Sequence, residues 1–290
     1  MSLRSLMASL RPTQWLKNLF LFAALIFSQN LLVFSKSLRV FYAFVLFCLL
    51  ASSVYLINDL FDIREDRKHP LKSKRPLPSG QLSRSGALFL AISLGALSLG
   101  LSFRLHPQFG LVALIYLVSN FAYSIYLKHV VILDVMLVAF GFVLRAVAGA
   151  VVIEAEISSW LLVCTTLIAL FLALSKRRHE LSVLVENSSG HRKVLGEYSH
   201  YFLDQMIAVV TASTLMSYTL YTLSPEVADK FGTTNLIFTV PFVLYGIFRY
   251  LYLVHQQDQG GSPTWVLLTD KPLLVDIFLW FLAVWLILYQ

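Results

Sequence analysis

Long apolar stretches alternate with short polar intervals along the whole chain. Nine of these stretches are long enough to cross a bilayer, because about 20 apolar residues in a helix span its hydrocarbon core. The polar intervals reach only about 30 residues, which is too short for a separate soluble domain. We therefore expect one integral membrane domain over residues 1–290. The predicted spans lie near 17–34, 38–60, 85–104, 109–127, 131–152, 158–175, 205–224, 233–254 and 273–289.

Composition and charge agree with this class of protein. Hydrophobic residues make up 58% of the chain and charged residues 13%, about half of the charged fraction in soluble domains. With the N-terminus placed in the cytoplasm, 17 Lys and Arg residues fall on that side and 4 on the other, as the positive-inside rule requires. We expect a multi-pass protein of the cell (plasma or inner) membrane whose N-terminus and active site are cytoplasmic. The net charge of +7 then favours anionic lipid and phosphorylated substrates, with no need for nucleic acid.

The densest charge in the chain begins at the end of the second predicted span. Asn58, Asp62 and Asp66 are spaced at i, i+4 and i+8, so they share one helix face, with Asp59 beside them. Their oxygens suit a hard cation such as Mg²⁺. Carboxylates for a metal beside cations for phosphate oxygens indicate a diphosphate site, although a solvated loop that sets topology would carry similar positive charge. The basic residues in and after this segment are Arg64, Arg67, Lys68, His69, Lys72, Lys74 and Arg75.

The same stretch carries a resemblance to a known family. Its pattern N-D-x-x-D-x-x-x-D, followed by HPLKSKRPLPSG, resembles the first aspartate-rich motif of UbiA-type membrane prenyltransferases. Within that superfamily the chain is most similar to the decaprenyl-phosphate phosphoribosyltransferase branch, and the similarity covers nearly its whole length. The supporting segments are RPTQWLKN, YSIYLK, LDVMLVAFGFVLRAVAGA, LALSKRRHEL and VPFVLYGIFRYLYL.

The resemblance implies a fold, a reaction and a set of site residues. The fold would be an all-α bundle of nine transmembrane helices around a polar cavity that faces the cytoplasm. The reaction would transfer 5-phosphoribose from phosphoribosyl diphosphate to a decaprenyl-like polyprenyl phosphate, releasing diphosphate, for lipid-linked pentose and cell-envelope polysaccharide synthesis. Mg²⁺ would be held by Asn58, Asp59, Asp62 and Asp66, of which the three aspartates are the predicted catalytic residues. The predicted donor-phosphate residues are Lys17, Lys72 and Arg75.

The second charged cytoplasmic loop, 176–204, departs from the prenyltransferase pattern. Prenyl-transferring members of the family carry an acidic motif there, but this chain has Lys176-Arg177-Arg178-His179-Glu180 and no D-x-x-D or D-x-x-x-D after Asp66. A cationic loop suits a phosphate monoester, so we predict that Lys128, Lys176, Arg177 and Arg178 bind the acceptor phosphate. The alternative is a topology anchor with a surface pair between Lys176 and Glu180, worth only a few tenths of a kcal/mol.

A third polar group lies at the end of the fourth predicted span and within the fifth. Tyr123, Ser124, Asp134 and Arg145 are its members, and we predict that they line the cavity. Ionisable residues inside a membrane span are costly and usually face a polar cavity, so function is the default hypothesis for Asp134 and Arg145. The alternative is a structural ion pair with other helices.

Two other functions fit parts of the sequence. A UbiA-type prenyltransferase would move a polyprenyl chain from its diphosphate to an aromatic acceptor and would use the first motif in the same way, but the second acidic motif is missing. A lipid-phosphate carrier or inactive scaffold would not need the intact metal motif. The sequence assigns no role to Asp276 in the last span and does not define the oligomeric state.

Overall fold

The computed structural model describes residues 3–68, 72–186, 193–257 and 260–289. All regular structure in these ranges is helical, which confirms the predicted all-α class. His69 and Pro70, which belong to the first motif, lie outside the described residues. The chain divides into two compact units: Met1–Ile157 with Glu186–Glu197, and Ser158–Val185 with Tyr198–Gln290. The sequence predicts one domain over residues 1–290, and this stays a prediction.

The helices follow one another with short connections. Those of the first unit are α1 (Leu3–Leu10), α2 (Leu21–Phe27), α3 (Phe34–Lys68), α4 (Arg84–Leu105), α5 (Pro107–Ile125) and α6 (Leu133–Val152). Those of the second are α7 (Ser159–Glu186), α8 (His200–Leu223), α9 (Pro225–Phe231), α10 (Val240–Gln256), α11 (Pro263–Thr269) and α12 (Lys271–Tyr289). Short 3₁₀ helices lie at Pro12–Phe20, Lys72–Lys74, Leu127–His129, Lys193–Glu197 and Asn235–Thr239.

Eight helical segments in the described ranges are long and apolar enough to cross a membrane, and they match eight of the nine predicted spans. Their outward side chains include exposed large apolar residues such as Phe34, Phe89 and Phe278, as expected of a surface that meets lipid rather than water. The first predicted span, 17–34, differs. It is formed by the 3₁₀ helix Pro12–Phe20 and the short α2, so a ninth crossing stays a prediction.

The core of the first unit gathers apolar side chains from α2, α3, α5 and α6. The Phe47 ring packs against those of Phe109 and Tyr116, at centroid distances of 5.7 Å and 5.3 Å. Helices α2 and α6 approach very closely, since a Cβ atom built on Gly149 would lie 1.9 Å from the carbonyl oxygen of Leu21. This contact holds the N-terminal segment against the bundle.

The loop after α3 is fixed by two buried leucines. Leu77 and Leu82 pack into a small core with residues of α3 and α4. Arg67 donates from Nε to the carbonyl oxygen of Pro78 at 3.2 Å. Gly80 adopts a φ of 81°, a left-handed conformation that glycine reaches without a Cβ penalty, so the chain can turn back. These anchors hold Arg75 beside the C-terminal part of α3.

The second unit is joined by polar contacts between its helices. Trp280 donates from Nε1 to the Tyr218 hydroxyl at 2.9 Å, and that hydroxyl lies 2.7 Å from Thr239 Oγ1. Arg249 binds both carboxylate oxygens of Asp270, at 3.1 Å and 2.7 Å, and this hydrogen bonding holds the pKa of Asp270 below its usual range. Asp276 is buried beside Gly246, where a Cβ would lie 3.0 Å from its Oδ2.

Candidate active site

The aspartate motif occupies the last turns of α3, as its spacing predicts. Asp59 and Asp66 are buried, and Asn58 donates from Nδ2 to Asp62 Oδ2 at 3.1 Å. The long apolar run before the motif is helical throughout the membrane-crossing part, so the motif continues the same helix and its side chains stay in register. The four oxygen-bearing side chains therefore line one end of α3.

Cations from two other segments bind these carboxylates. Arg75 donates from Nη1 to Asp66 Oδ2 at 2.6 Å and to Asp59 Oδ1 at 3.2 Å, so it bridges the two aspartates. Lys72 Nζ lies 4.0 Å from Asp66 Oδ1. Arg11, just after α1, donates to the Asp59 carboxylate from the other direction. The predicted donor-phosphate residues Lys72 and Arg75 are thus adjacent to the predicted metal ligands.

The turn between α5 and α6 supplies a further cation. Lys128, buried in its 3₁₀ helix, donates from Nζ to Asp62 Oδ1 at 2.5 Å. Ser124 donates from Oγ to Asn58 Oδ1 at 3.3 Å. The sequence assigns Lys128 to the acceptor phosphate, and the structure places it on the aspartate motif itself. Tyr123 precedes Ser124 near the end of the same helix.

A buried arginine lies deeper in the first unit. Arg145 donates from Nε to Asn18 Oδ1 at 2.7 Å, from Nη1 to the Gly141 carbonyl at 2.7 Å and from Nη2 to the Tyr116 hydroxyl at 2.8 Å. Its guanidinium also lies over the rings of Tyr116 and Phe142. All three hydrogen-bond acceptors are neutral, so the positive charge of Arg145 is distributed over dipoles and π-faces.

Lys17 and Asp134 are the remaining predicted residues of the first unit. Lys17 precedes Asn18 in the 3₁₀ helix, where burial, with the charges of Arg145 and Arg11, lowers the pKa of Lys17 to about 8. Asp134 is fully buried in the first turn of α6. Eleven residues separate Asp134 from Arg145, about 16 Å along the helix, so the two predicted cavity residues do not pair with each other.

The donor set of the motif fits a hard divalent cation. Among the described residues, no three carboxylate, histidine or cysteine side chains form a metal-holding group by themselves. Mg²⁺, however, is usually held by one or two carboxylates together with substrate phosphates and water, and it prefers oxygen ligands only. Asn58, Asp59, Asp62 and Asp66 offer that chemistry, with Lys72, Arg75 and Lys128 beside them.

The predicted acceptor-phosphate residues of α7 belong to the second unit. Arg177 donates from Nη1 to Glu180 Oε2 at 2.5 Å, and Lys176 Nζ lies 3.6 Å from the other oxygen of Glu180. Arg178 donates from Nε to Asp204 Oδ1 at 2.6 Å. The surface pair that the spacing of Lys176 and Glu180 predicts is therefore present, and all three cations have carboxylate partners.

Sequence reasoning missed Arg11 as a site residue. Its one signal was that it opens RPTQWLKN, a segment that supports the family resemblance, and this position does not point to the aspartate motif. The contact with Asp59 spans 48 residues of sequence, and no local spacing rule could have shown it.

A polytopic helical membrane protein with a carboxylate-rich, cation-lined site is the class that this fold and site define. The chain belongs to the UbiA prenyltransferase family, whose model matches residues 18–282. It is 36% identical over 287 residues to a decaprenyl-phosphate phosphoribosyltransferase of Corynebacterium glutamicum, covering 97% of this chain and 86% of the relative. It is 32% identical to the enzyme of the same name from Mycolicibacterium smegmatis, covering 95% and 89%.

Solved structures are similar in fold. A UbiA homolog from Archaeoglobus fulgidus bound to GPP and Mg²⁺ has a TM-score of 0.73, 19% identity and coverage of 99% of this chain and 100% of that chain. The same homolog has also been solved bound to Cd²⁺, with a TM-score of 0.68. At this identity the likeness concerns the fold, which confirms the predicted UbiA-type helical architecture.

Proposed function

We propose that this protein transfers a 5-phosphoribosyl group from phosphoribosyl diphosphate to a polyprenyl phosphate and releases diphosphate. The observation that carries the proposal is the 36% identity to a phosphoribosyltransferase of that acceptor class across 97% of the chain. The cation-rich aspartate motif supports the proposal, because a diphosphate donor needs carboxylates to hold its metal ion and cations to bind its phosphate oxygens. The product is a lipid-linked pentose precursor for cell-envelope polysaccharide.

The donor is held by the end of α3 and the loop that follows it. Asn58, Asp59, Asp62 and Asp66 would hold Mg²⁺, which supplies charge neutralisation at the diphosphate leaving group. Lys72 and Arg75 are already positioned beside Asp66 and bind phosphate oxygens of the donor. Arginine suits this role because its planar fork matches two phosphate oxygens.

The reaction exchanges one C–O bond for another at C1 of the ribose. The bond from C1 to the diphosphate oxygen breaks, and its electron pair leaves with the diphosphate. An oxygen of the lipid phosphate forms the new bond from the opposite face, so the configuration at C1 inverts. The phosphate anion is already a competent nucleophile, so no side chain has to remove a proton from it. The cations around the motif stabilise the developing negative charge.

The acceptor phosphate is assigned to Lys176, Arg177 and Arg178 of α7. Replacing Arg177 and Arg178 together with Gln should raise the apparent KM for polyprenyl phosphate more than the KM for the sugar donor. A charge-assisted contact is worth roughly 1.5–3 kcal/mol when desolvated and far less when exposed. The exposed Lys230→Gln variant is the control and should leave both constants unchanged. Equal changes in both KM values would contradict the assignment.

Two reaction mixtures test the proposed function against transfer of a prenyl chain. Purified protein receives labelled phosphoribosyl diphosphate with polyprenyl phosphate in the first, and polyprenyl diphosphate with 4-hydroxybenzoate in the second. We expect a labelled lipid in the first mixture and no product in the second. Turnover in the second mixture alone would overturn the proposal.

A further inference from the structure

The N-terminal arm, residues 8–15, follows one stripe of α3 toward the aspartate motif. Ser52, Tyr55 and Asp59 lie at i, i+3 and i+7 on that helix, so they share a face. Ser52 Oγ lies 2.8 Å from the Leu10 carbonyl oxygen and accepts a hydrogen bond from Trp15 Nε1 at 3.0 Å. The arm is thus attached to α3 on both sides of Arg11.

Arg11 has an unfavourable backbone conformation at this position. Its φ is 53° and its ψ 61°, in the left-handed region that non-glycine residues rarely adopt. The attachment at Ser52 holds the backbone there, and the side chain then reaches Asp59 and lies 5.1 Å from the centroid of the Tyr55 ring. Backbone outliers of this kind are concentrated at functional sites.

The negative charge of the motif is fully neutralised by side chains. Three carboxylates, those of Asp59, Asp62 and Asp66, face four cations: Arg11, Arg75, Lys128 and, at 4.0 Å from Asp66, Lys72. A divalent cation added alone would increase the excess of positive charge in a poorly solvated place. A diphosphate that arrives with the divalent cation carries more negative charge than the cation carries positive charge. Each arginine displaced from its aspartate then has a phosphate oxygen to bind.

We propose that Arg11 is a donor-binding residue that exchanges partners. In this structure its guanidinium neutralises Asp59. With a metal–diphosphate donor in the site, Arg11 would bind a phosphate oxygen and the Asp59 carboxylate would be available to hold the metal. The site therefore disfavours the metal alone and favours the pair. The proposal rests on the proposed function only in assuming that the donor carries a diphosphate.

The two roles of Arg11 predict opposite effects of its removal. In Arg11→Gly the guanidinium is lost while glycine accepts the left-handed backbone without strain. We expect this variant to bind Mn²⁺ alone several-fold more tightly, because a competing cation is gone. We expect it to bind inorganic diphosphate in the presence of Mn²⁺ about 10- to 100-fold more weakly. Arg11→Lys keeps the charge without the fork, so its diphosphate affinity should be intermediate and its Mn²⁺ affinity unchanged.

Titration calorimetry on the purified full-length protein measures both affinities, and thermal unfolding is recorded for each variant. Arg39→Ala is the matched control, since Arg39 lies near the other end of α3 and faces the exposed Glu154 at 3.8 Å; it should change neither affinity. A parallel loss of Mn²⁺ and diphosphate binding with a lower Tm would assign Arg11 a structural role and overturn the proposal, as would two unchanged affinities. Because the probes contain no sugar or lipid, failure of phosphoribosyl transfer in the assay above would be a separate result.

Discussion

Asp62 accepts hydrogen bonds from both an amide and a cation. Its Oδ2 accepts from Asn58 and its Oδ1 accepts from Lys128, so both oxygens are oriented. A carboxylate oriented in this way needs little rearrangement to serve a metal or a developing charge. Replacing one carboxylate oxygen of Asp62 should therefore reduce turnover more than it reduces the stability of the fold.

Asp62→Asn should reduce kcat by two to three orders of magnitude with expression and Tm retained. An interaction made mainly in the transition state is commonly worth about 3–4 kcal/mol, which corresponds to that loss of rate. The matched control is Glu154→Gln, an exposed carboxylate in the loop after α6, which should keep full activity. A mild effect of the same size in both variants would remove Asp62 from the catalytic set.

Lys17 should make donor binding depend on pH. Its pKa of about 8 lies below that of an ordinary lysine, so the ammonium loses its proton as the pH rises through 8. A bound anion favours the charged form, so donor affinity should fall above pH 8, by up to about tenfold per pH unit. Lys17→Arg stays charged and should lose this dependence. Comparing the two proteins between pH 7 and 9 cancels the titration of the ligand, and identical pH profiles would show that Lys17 does not bind the donor.

At the scale of single residues, the sequence could predict the contacts that one helix makes by itself. The shared face of Asn58, Asp62 and Asp66 follows from helix periodicity, and Arg75, a predicted donor-phosphate residue, lies beside Asp66. The partners Arg11 and Lys128 reach the motif through tertiary packing, 48 and 66 residues away in sequence. Periodicity contains no information on such pairs, so their place on the motif could only come from the structure.

At the scale of helices, the N-terminal segment is where prediction and structure differ most. An apolar run predicts a membrane helix at 17–34, but the chain forms the 3₁₀ helix Pro12–Phe20 and then α2. Asn18 is buried there and accepts a hydrogen bond from Arg145, so this part of the run faces a polar partner. Hydropathy reports only that the segment is apolar on average. It could not predict the contact between Asn18 and Arg145 of α6.

The contact between α2 and α6 should be sensitive to one methyl group. In Gly149→Ala the new Cβ would lie 1.9 Å from the Leu21 carbonyl oxygen, so the helices must move apart, at a cost of about 1–3 kcal/mol or more. Thermal unfolding in detergent should show a clearly lower Tm. Gly100→Ala in α4 is the control, because nothing lies within 4 Å of its Cβ position, and alanine there should leave Tm unchanged or raise it. A Tm for Gly149→Ala equal to that of the wild type would mean that α2 is not packed on α6 in this way.

At the scale of the whole molecule, the uneven distribution of Lys and Arg predicts its orientation. We propose that the loop after α3 is cytoplasmic and that α9 lies on the opposite side. Single cysteines at Lys74 and Lys230, both exposed, test this in a background without Cys48 and Cys164. An impermeant thiol reagent applied to intact cells should label Lys230→Cys and spare Lys74→Cys. Labelling of Lys74→Cys from outside would reject the proposed orientation.

The length of α3 has a consequence for the depth at which the reaction takes place. Its 35 residues make a helix about 52 Å long, while the hydrocarbon layer is about 30 Å thick. With the crossing placed at the predicted span 38–60, we expect Asp59 at the edge of the hydrocarbon layer and the final turns with Asp62 and Asp66 beyond it, at the level of the lipid headgroups. A water-soluble sugar diphosphate can reach them there without entering the apolar layer. The phosphate of a polyprenyl lipid can likewise react at the headgroup level while its chain stays in the hydrocarbon layer. Neither charged substrate group then has to enter the hydrocarbon layer.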